Sequence, residues 1–335
     1  MVDVMQPNTK QPLDFTGWIP ARVKFDQGKV LIDWAHAGEI RLTEPFFRES
    51  AQRIMQLPFN QAFRRTSTAD EMVEWTNRHP GIAPTAFIFH ASRCGSTLMA
   101  QMLAALPSHI VVSEPPMLDA LLRAQFFVEG LDQQQQLAYV RALISALAQP
   151  RLGETKFIVK MDAWNIFELD MIREAFPNTP WLFLYRDPLE IAVSQLRQRA
   201  SYMVPGMIGP SQWMIAQSDA LKMSDKEYVA RIMGKIFEEA ARAVIRETNT
   251  AGCLHYNQLP SIAWEGLRET LGVTNDEAAA ISTMQTAAKW DAKNPYFEFV
   301  NDVEDKQREA TPLLRKLIDQ WVRPHYDALE KIRST

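Results

Sequence analysis

Four short apolar runs, TAFIFH, HIVVSE, TKFIVK and PWLFLYR, recur between residues 85 and 186, separated by stretches of helical character. Continuous runs of this length, without polar alternation, mark strands covered on both faces. Strand–helix–strand alternation at this spacing leaves few architectures open, and the expected fold class is α/β with a doubly wound parallel sheet of the P-loop type, flanked by helices. The expected strands are 85–90, 109–114, 155–160 and 180–186, with a fifth, GCLHYNQL, at 252–259. Helices are expected over 96–106, through most of 117–149, over 163–176 and 188–200, before the fifth strand, and at the C-terminus.

Residues 1–80 read differently. PARVKFDQGKVLIDW (20–34) alternates apolar and polar residues around a DQG turn, the pattern of a β-hairpin. TEPFFRESAQRIMQ follows, with Thr43 as an expected N-cap and Pro45 in the first turn, and TADEMVEW offers a capping box from Thr68 and Glu71. NRHPGIAP (77–84) breaks the pattern. The expected division is an N-terminal α+β extension over 1–80 and the larger α/β unit over 81–335.

Open parallel sheets bind ligands outside the carboxyl ends of their strands. Strand one ends in SRCGST, strand two in Glu114, strand three in Lys160 and strand four in Arg186. One polar residue closing an apolar run is ordinary, but a glycine turn, a carboxylate, an ammonium and a guanidinium on one edge suit an anionic ligand. Gly95 permits a tight turn, and the amides of residues 94–98 would then point at one spot at a helix N-terminus. Ser96 and Thr97 add hydroxyl donors and Arg93 a forked cation. Asp187, Pro188 and Glu190 specify a helix start as N-cap, N1 and N3. Ser194, eight residues after Arg186, either grips the same anion or back-bonds to a helix carbonyl. Cys94 lies at the helix N-terminus, where thiol pKa values fall, although packing is the expected use for it. Arg64 and Arg65 read as a solvated helix face. SYMVPGMIGPSQWM (201–214) is either core or a lid over an acceptor. The histidines show no metal-ligand spacing, and His90 reads as a strand-end residue.

A chain of 335 residues with 47% hydrophobic content can bury a sizeable core. Its net charge of -4 argues against a general nucleic-acid binder or a binder of anionic membranes. Two cysteines suggest no disulfide framework and fit a reducing compartment. No apolar window approaches a membrane span and the N-terminus lacks a signal pattern. The expectation is a cytoplasmic protein; the sequence carries no indication of oligomeric state.

SRCGSTLMAQMLAALPSHIVVSEP, FIVKMDAW, FLYRDPLEIAVSQ and LHYNQLPSIAWEGLRETLGV together resemble the sulfotransferase family, closest to its tyrosylprotein sulfotransferase branch. The intervals of 21 residues from Arg93 to Glu114 and 26 from Lys160 to Arg186 agree with that branch. The resemblance covers about 85–275. It implies that Arg93, Cys94, Gly95, Ser96, Thr97 and Leu98 cradle the 5′-phosphosulfate of 3′-phosphoadenosine 5′-phosphosulfate, and that Arg186 and Ser194 hold the 3′-phosphate. It implies Glu114 as the general base and Lys160 as the group stabilising the leaving oxygen. For a C-terminal contact to the donor, Lys289 is the expected residue, with Lys293 as the other choice. The acceptor would be a hydroxyl or amine of a small molecule or peptide, with no metal required. The chain departs from the branch in carrying Ser113-Glu114 for a Glu-Glu pair and Cys94 for a serine, and in lacking its membrane anchor. Two other readings fit the same fold: an ATP-dependent phosphotransferase using Asp162 or Asp187 beside a metal, and a non-catalytic nucleotide-binding module.

Overall fold

The computed structural model of the chain describes residues 13–211, 213, 215–247, 249–273, 277–293 and 303–333. Strands β1 (Trp18–Asp26), β2 (Lys29–His36) and β3 (Arg65–Thr68) form an antiparallel sheet. The first two are the hairpin legible in the sequence, turned at Gln27 and Gly28, both with positive φ. β3, RTST, is polar and four residues long, so it offers no apolar run to read.

Strands β4 (Ala86–His90), β5 (His109–Ser113), β6 (Lys156–Lys160), β7 (Trp181–Tyr185) and β8 (Ala251–His255) form the second sheet, in the order β5-β6-β4-β7-β8. Every pairing in it is parallel. The fold is therefore the expected α/β sheet flanked by helices, with an antiparallel N-terminal extension. Both faces are covered, as continuous apolar strands require. Phe87, Phe89, Phe157, Val159 and Phe183 join a core that also contains Phe15, Trp34 and Trp75 of the extension. The alternate residues Ala86, Ile88, Ile158, Leu182 and Leu184 pack with Met99 and Leu103 on the other face. The two sheets thus share one hydrophobic core. Arg41 ties them further, donating to the carbonyls of Ala104 and Leu106 at the end of helix Ser96–Ala104.

Local signals hold in part. Thr68 accepts from the Glu71 amide and Glu71 reaches back to the Thr68 amide, completing the capping box. Asp187 caps helix Pro188–Arg197 through the amides of Leu189 and Glu190. The expected start at Thr43 does not hold. That helix runs Phe47–Met55 with Phe46 in the N-cap position and no side-chain cap. Tertiary contact decides here, because the Phe46 ring is drawn to two ammonium groups described below.

Register fixes what the sheet edge presents. Ile88 and Ser113 flank Lys160 on neighbouring strands, and His90 pairs with Leu184. The Glu114 amide donates to the Lys160 carbonyl at 2.7 Å, which holds Glu114 beside the end of β6.

Candidate active site

The loop after β4 climbs through three left-handed residues, Ser92, Arg93 and Gly95, with φ of 64°, 50° and 84°. Gly95 is the N-cap of helix Ser96–Ala104. A Cβ on it would lie 2.7 Å from Leu259 Cδ1 and 2.9 Å from Tyr256 Cδ2, so both its φ and its surroundings demand glycine. The first amides of such a helix have no intrahelical acceptor and face the loop opening.

Arg93, Cys94, Gly95, Ser96, Thr97, Leu98, Arg186 and Ser194 line one cleft of about 270 Å³. These eight positions are all expected from the sequence. Arg93 donates to the Gln198 carbonyl at 2.7 Å. The buried Arg186 guanidinium lies 4.3 Å from the Tyr256 ring centroid, and its Nε is 2.5 Å from Glu190 Oε2. Glu190 therefore pairs with the arginine rather than serving only the helix start. Among the described residues the Ser194 hydroxyl makes no back-bond to its helix, so it is left facing the cleft.

Tyr256, Trp290, Asp291, Lys293 and Lys306 complete the lining. Lys289 is not among these residues; Lys293, four positions on, is. Lys306 is buried, and nothing in the sequence around it marks it as part of the site. The Lys293 ammonium lies 5.9 Å from the Phe46 ring. Lys293 is exposed as a residue, but partial desolvation of its ammonium against the protein, with the Arg93 and Lys160 charges nearby, lowers its pKa to about 8.

Cys94 packs, as expected, but the lowered thiol pKa that a helix N-terminus suggests does not hold. Its side chain is fully buried in the core under the loop and its Sγ donates to the Leu184 carbonyl at 3.2 Å. Burial raises the thiol to about 11 despite the helix N-terminus, which leaves no thiolate for nucleophilic work near neutrality. Only its backbone belongs to the cleft wall.

Glu114 stands at the end of β5 with φ of 51°, a conformation that costs a non-glycine residue about 1–3 kcal/mol and is typical of working positions. Its Oε1 is 2.5 Å from Lys160 Nζ and 3.2 Å from His90 Nε2. Burial would raise its pKa, but the Lys160 ammonium and His90 outweigh burial and hold the carboxyl well below the usual carboxylate range. Lys160 is wholly buried, and its Nζ lies 5.1 Å from the Phe46 ring centroid.

His90 is unremarkable in the sequence, and the register alone brings it to the carboxylate. Its Nδ1 accepts from the Ser92 amide at 2.9 Å, so the proton of the neutral ring sits on Nε2, facing Glu114. That Nε2 is near the carboxylate without the alignment of a hydrogen bond. Burial lowers the His90 pKa, with Glu114 acting in the opposite direction, and keeps the ring neutral.

The segment after helix Pro188–Arg197 packs over this edge. Tyr202, Met203 and Trp213 are buried, and Trp213 stacks on Phe167 at 4.8 Å. Arg123, ion-paired with Asp119, donates to the carbonyls of Ile208 and Pro210. Residues 212 and 214 of the lid expectation lie outside the described residues.

Fold and cleft define a doubly wound α/β protein with a left-handed glycine turn and a cation-lined cleft at the carboxyl edge of its sheet. Residues 84–226 match the model of the sulfotransferase family, a family of transferases, and that segment is what the chain shares with it. The matched span includes Arg93, Glu114, Lys160, Arg186 and Ser194, and excludes the extension, Tyr256 and Lys293. The chain is also similar to three solved structures. The sulfotransferase domain of the Synechococcus PCC 7002 olefin synthase is 19% identical over 72% of this chain and 95% of that one, with TM-score 0.38. The sulfotransferase domain from the curacin biosynthetic pathway is 16% identical over 72% and 97%, with TM-score 0.45. The Alicyclobacillus acidocaldarius sulfotransferase is 15% identical over 75% and 96%, with TM-score 0.41. No curated protein matches the sequence. Among the described residues no helix is long and apolar enough to cross a membrane.

Proposed function

We propose that the chain transfers a sulfuryl group from 3′-phosphoadenosine 5′-phosphosulfate to a hydroxyl or amine, with Glu114 as general base and Lys160 at the leaving oxygen. The observation that carries this reading is the Lys160–Glu114 pair beside a cationic cleft. Among the described residues the lining of that cleft holds Arg93, Arg186, Lys293 and Lys306 and one carboxylate, Asp291, while Glu190 pairs with Arg186 from outside the lining. The residues suit a doubly phosphorylated nucleotide: a glycine turn with helix amides at one end, and a guanidinium held by Tyr256 and Glu190 with Ser194 at the other. The exposed Trp290 ring offers a stacking face for a base.

When bound, the donor supplies the activated sulfuryl group. The protein's share is positioning and electrostatics, as in phosphoryl transfer. Oε1 of Glu114 takes the contacts from Lys160 and His90, so Oε2 is the oxygen left for an acceptor proton. A leaving oxygen gathering negative charge draws the Lys160 ammonium away from Glu114. The carboxylate then loses the charge that depressed its pKa and becomes a stronger base as the acceptor proton must leave. The 201–211 segment, held by Arg123, serves as the cover on the acceptor side.

The phosphotransferase reading has less support. Asp187 is spent capping a helix and is also approached by Arg323 at 3.4 Å. Asp162 is buried, and burial with the nearby Glu114 and Asp119 charges raises its pKa well above the ordinary value. Neither carboxylate lines the cleft.

Arg186→Ala tests the nucleotide assignment. A charge-assisted hydrogen bond is worth about 1.5–3 kcal/mol, or roughly 10- to 100-fold in affinity. Calorimetry is expected to show that loss for 3′-phosphoadenosine 5′-phosphate and under about 3-fold for AMP. Equal losses would remove the 3′-phosphate role. The Lys293 ammonium gives a pH signature: its charged form favours the anion and is lost as pH rises through about 8. Affinity for the bisphosphate is expected to fall between pH 7 and 9, and Lys293→Met should flatten that dependence; an unchanged slope would exclude the contact.

A further inference from the structure

A second cationic cleft, of about 690 Å³, opens in the N-terminal extension, outside the segment that matches the family. Its charged lining is Arg22, Lys24, Asp33, Arg48, Arg64 and Arg65. Five cations face one carboxylate in a chain whose net charge is -4. That carboxylate is already engaged: Asp33 pairs with Lys24 at 2.5 Å and accepts from the Thr66 hydroxyl at 2.9 Å. Arg65 is committed as well, half-buried at the start of β3 with its guanidinium over the Phe15 and Trp18 rings. This corrects the helix-face expectation for Arg64 and Arg65, which instead sit in and beside a strand at the cleft wall. Among the described residues Arg22, Arg48 and Arg64 form no ion pair, so three arginines line an open cavity without a carboxylate partner.

The cleft adjoins the catalytic pair. Pro116 and Met117 form part of its wall and follow Glu114 by two and three residues. At 3.8 Å per Cα step, the wall begins within about 8 Å of the Glu114 Cα. From the other side, Phe47 lines the cleft while its neighbour Phe46 lies over the Lys160 ammonium. A molecule seated here would reach past Phe46 toward Glu114. The volume is that of a small-molecule site, and forked guanidinium groups select planar or tetrahedral oxyanions.

We propose that this cleft is an acceptor subsite, and that the acceptor is a small molecule bearing a phosphate or carboxylate group distal to its reacting hydroxyl or amine. The inference rests on the sulfotransferase reading above and adds the chemical class of the acceptor. It also gives the extension a part in the reaction, as the source of an anion receptor beside the sheet edge.

The test uses the full chain with its donor cleft first saturated by 3′-phosphoadenosine 5′-phosphate. Inorganic pyrophosphate and citrate are then titrated, with calorimetry and tryptophan emission as readouts; Trp34 is part of the cleft wall. Saturable binding of at least one probe is expected, weakened about 10-fold or more by the combined Arg22→Gln, Arg48→Gln and Arg64→Gln changes. Bisphosphate affinity should stay unchanged in that variant. All three side chains are exposed, so little stability is at stake; should the triple variant not fold, Arg48→Gln and Arg64→Gln are each expected to lose about 3-fold. The preference of pyrophosphate over citrate, or the reverse, says which oxyanion the site takes. Turnover of ω-(4-hydroxyphenyl)alkanoates should exceed that of the matching amides in the native protein and equal it in the variant. Absence of saturable binding, or binding untouched by the substitutions, overturns the subsite. A protein that ignores the bisphosphate overturns the sulfotransferase reading instead, and with it the cleft's role as an acceptor subsite.

Discussion

Glu114→Gln is expected to lower kcat by about 10²–10⁴-fold, the usual cost of removing a general base, while affinity for 3′-phosphoadenosine 5′-phosphate holds or rises. The sign of the second effect follows from the geometry. In the native protein the Lys160 ammonium spends its charge on Glu114 at 2.5 Å. The amide leaves that buried ammonium without a counter-charge beside an anion site, so an incoming anion gains what the carboxylate gave up. A purely structural role for Glu114 would instead weaken binding and turnover together. The same pair governs acid stability. Glu114's pKa in the folded protein lies below its unfolded value, so its stabilising contribution is complete above about pH 5 and declines as pH falls below the unfolded value near 4.3. The Gln variant should show a shallower decline across that range, in urea titrations at pH 3–6.

Gly95→Ala is expected to raise the Kd for the bisphosphate at least about 10-fold and to lower stability by roughly 1–3 kcal/mol. Two causes add. The residue sits at φ 84°, where an L side chain is strained, and its Cβ would enter the Leu259 and Tyr256 side chains. Displacing Tyr256 matters twice, because that ring supports the Arg186 guanidinium 4.3 Å away. One methyl group would therefore disturb both ends of the donor cleft. Gly153→Ala provides the control, since Gly153 is equally left-handed but has nothing within 4 Å of where the added methyl would sit. It carries the backbone strain without the collision and should leave bisphosphate affinity alone.

The sheet is legible because buried parallel strands write themselves as uninterrupted apolar runs. All five lie within about one residue of where the pattern puts them at their N-terminal ends. The fifth run overstates its strand, since β8 stops at His255 and Tyr256–Gln258 turns as a 3₁₀ helix. That turn is what brings Tyr256 under Gly95. The strand ends also disclose Glu114, Lys160 and Arg186, because charge at the close of an apolar run is visible without knowing the register. His90 is not disclosed, since its nearness to Glu114 depends on how β4 pairs with β6 and β7. Lys306 and Trp290 come from stretches with no motif and reach the cleft through tertiary packing alone. Phe46 is hidden for a similar reason. An aromatic in a helix N-cap position makes no local sense until its contacts with Lys160 and Lys293 are known. Cys94 shows a local rule overridden, as desolvation outweighs the helix N-terminus.

The central claim is that this cleft is built for adenosine carrying phosphates at both the 3′ and 5′ positions. Titrating the protein in a calorimeter with 3′-phosphoadenosine 5′-phosphate, and separately with ADP and magnesium, addresses it directly. The bisphosphate is expected to bind at least about 10-fold more tightly, with no requirement for magnesium. Equal or tighter binding of magnesium-ADP would contradict the account.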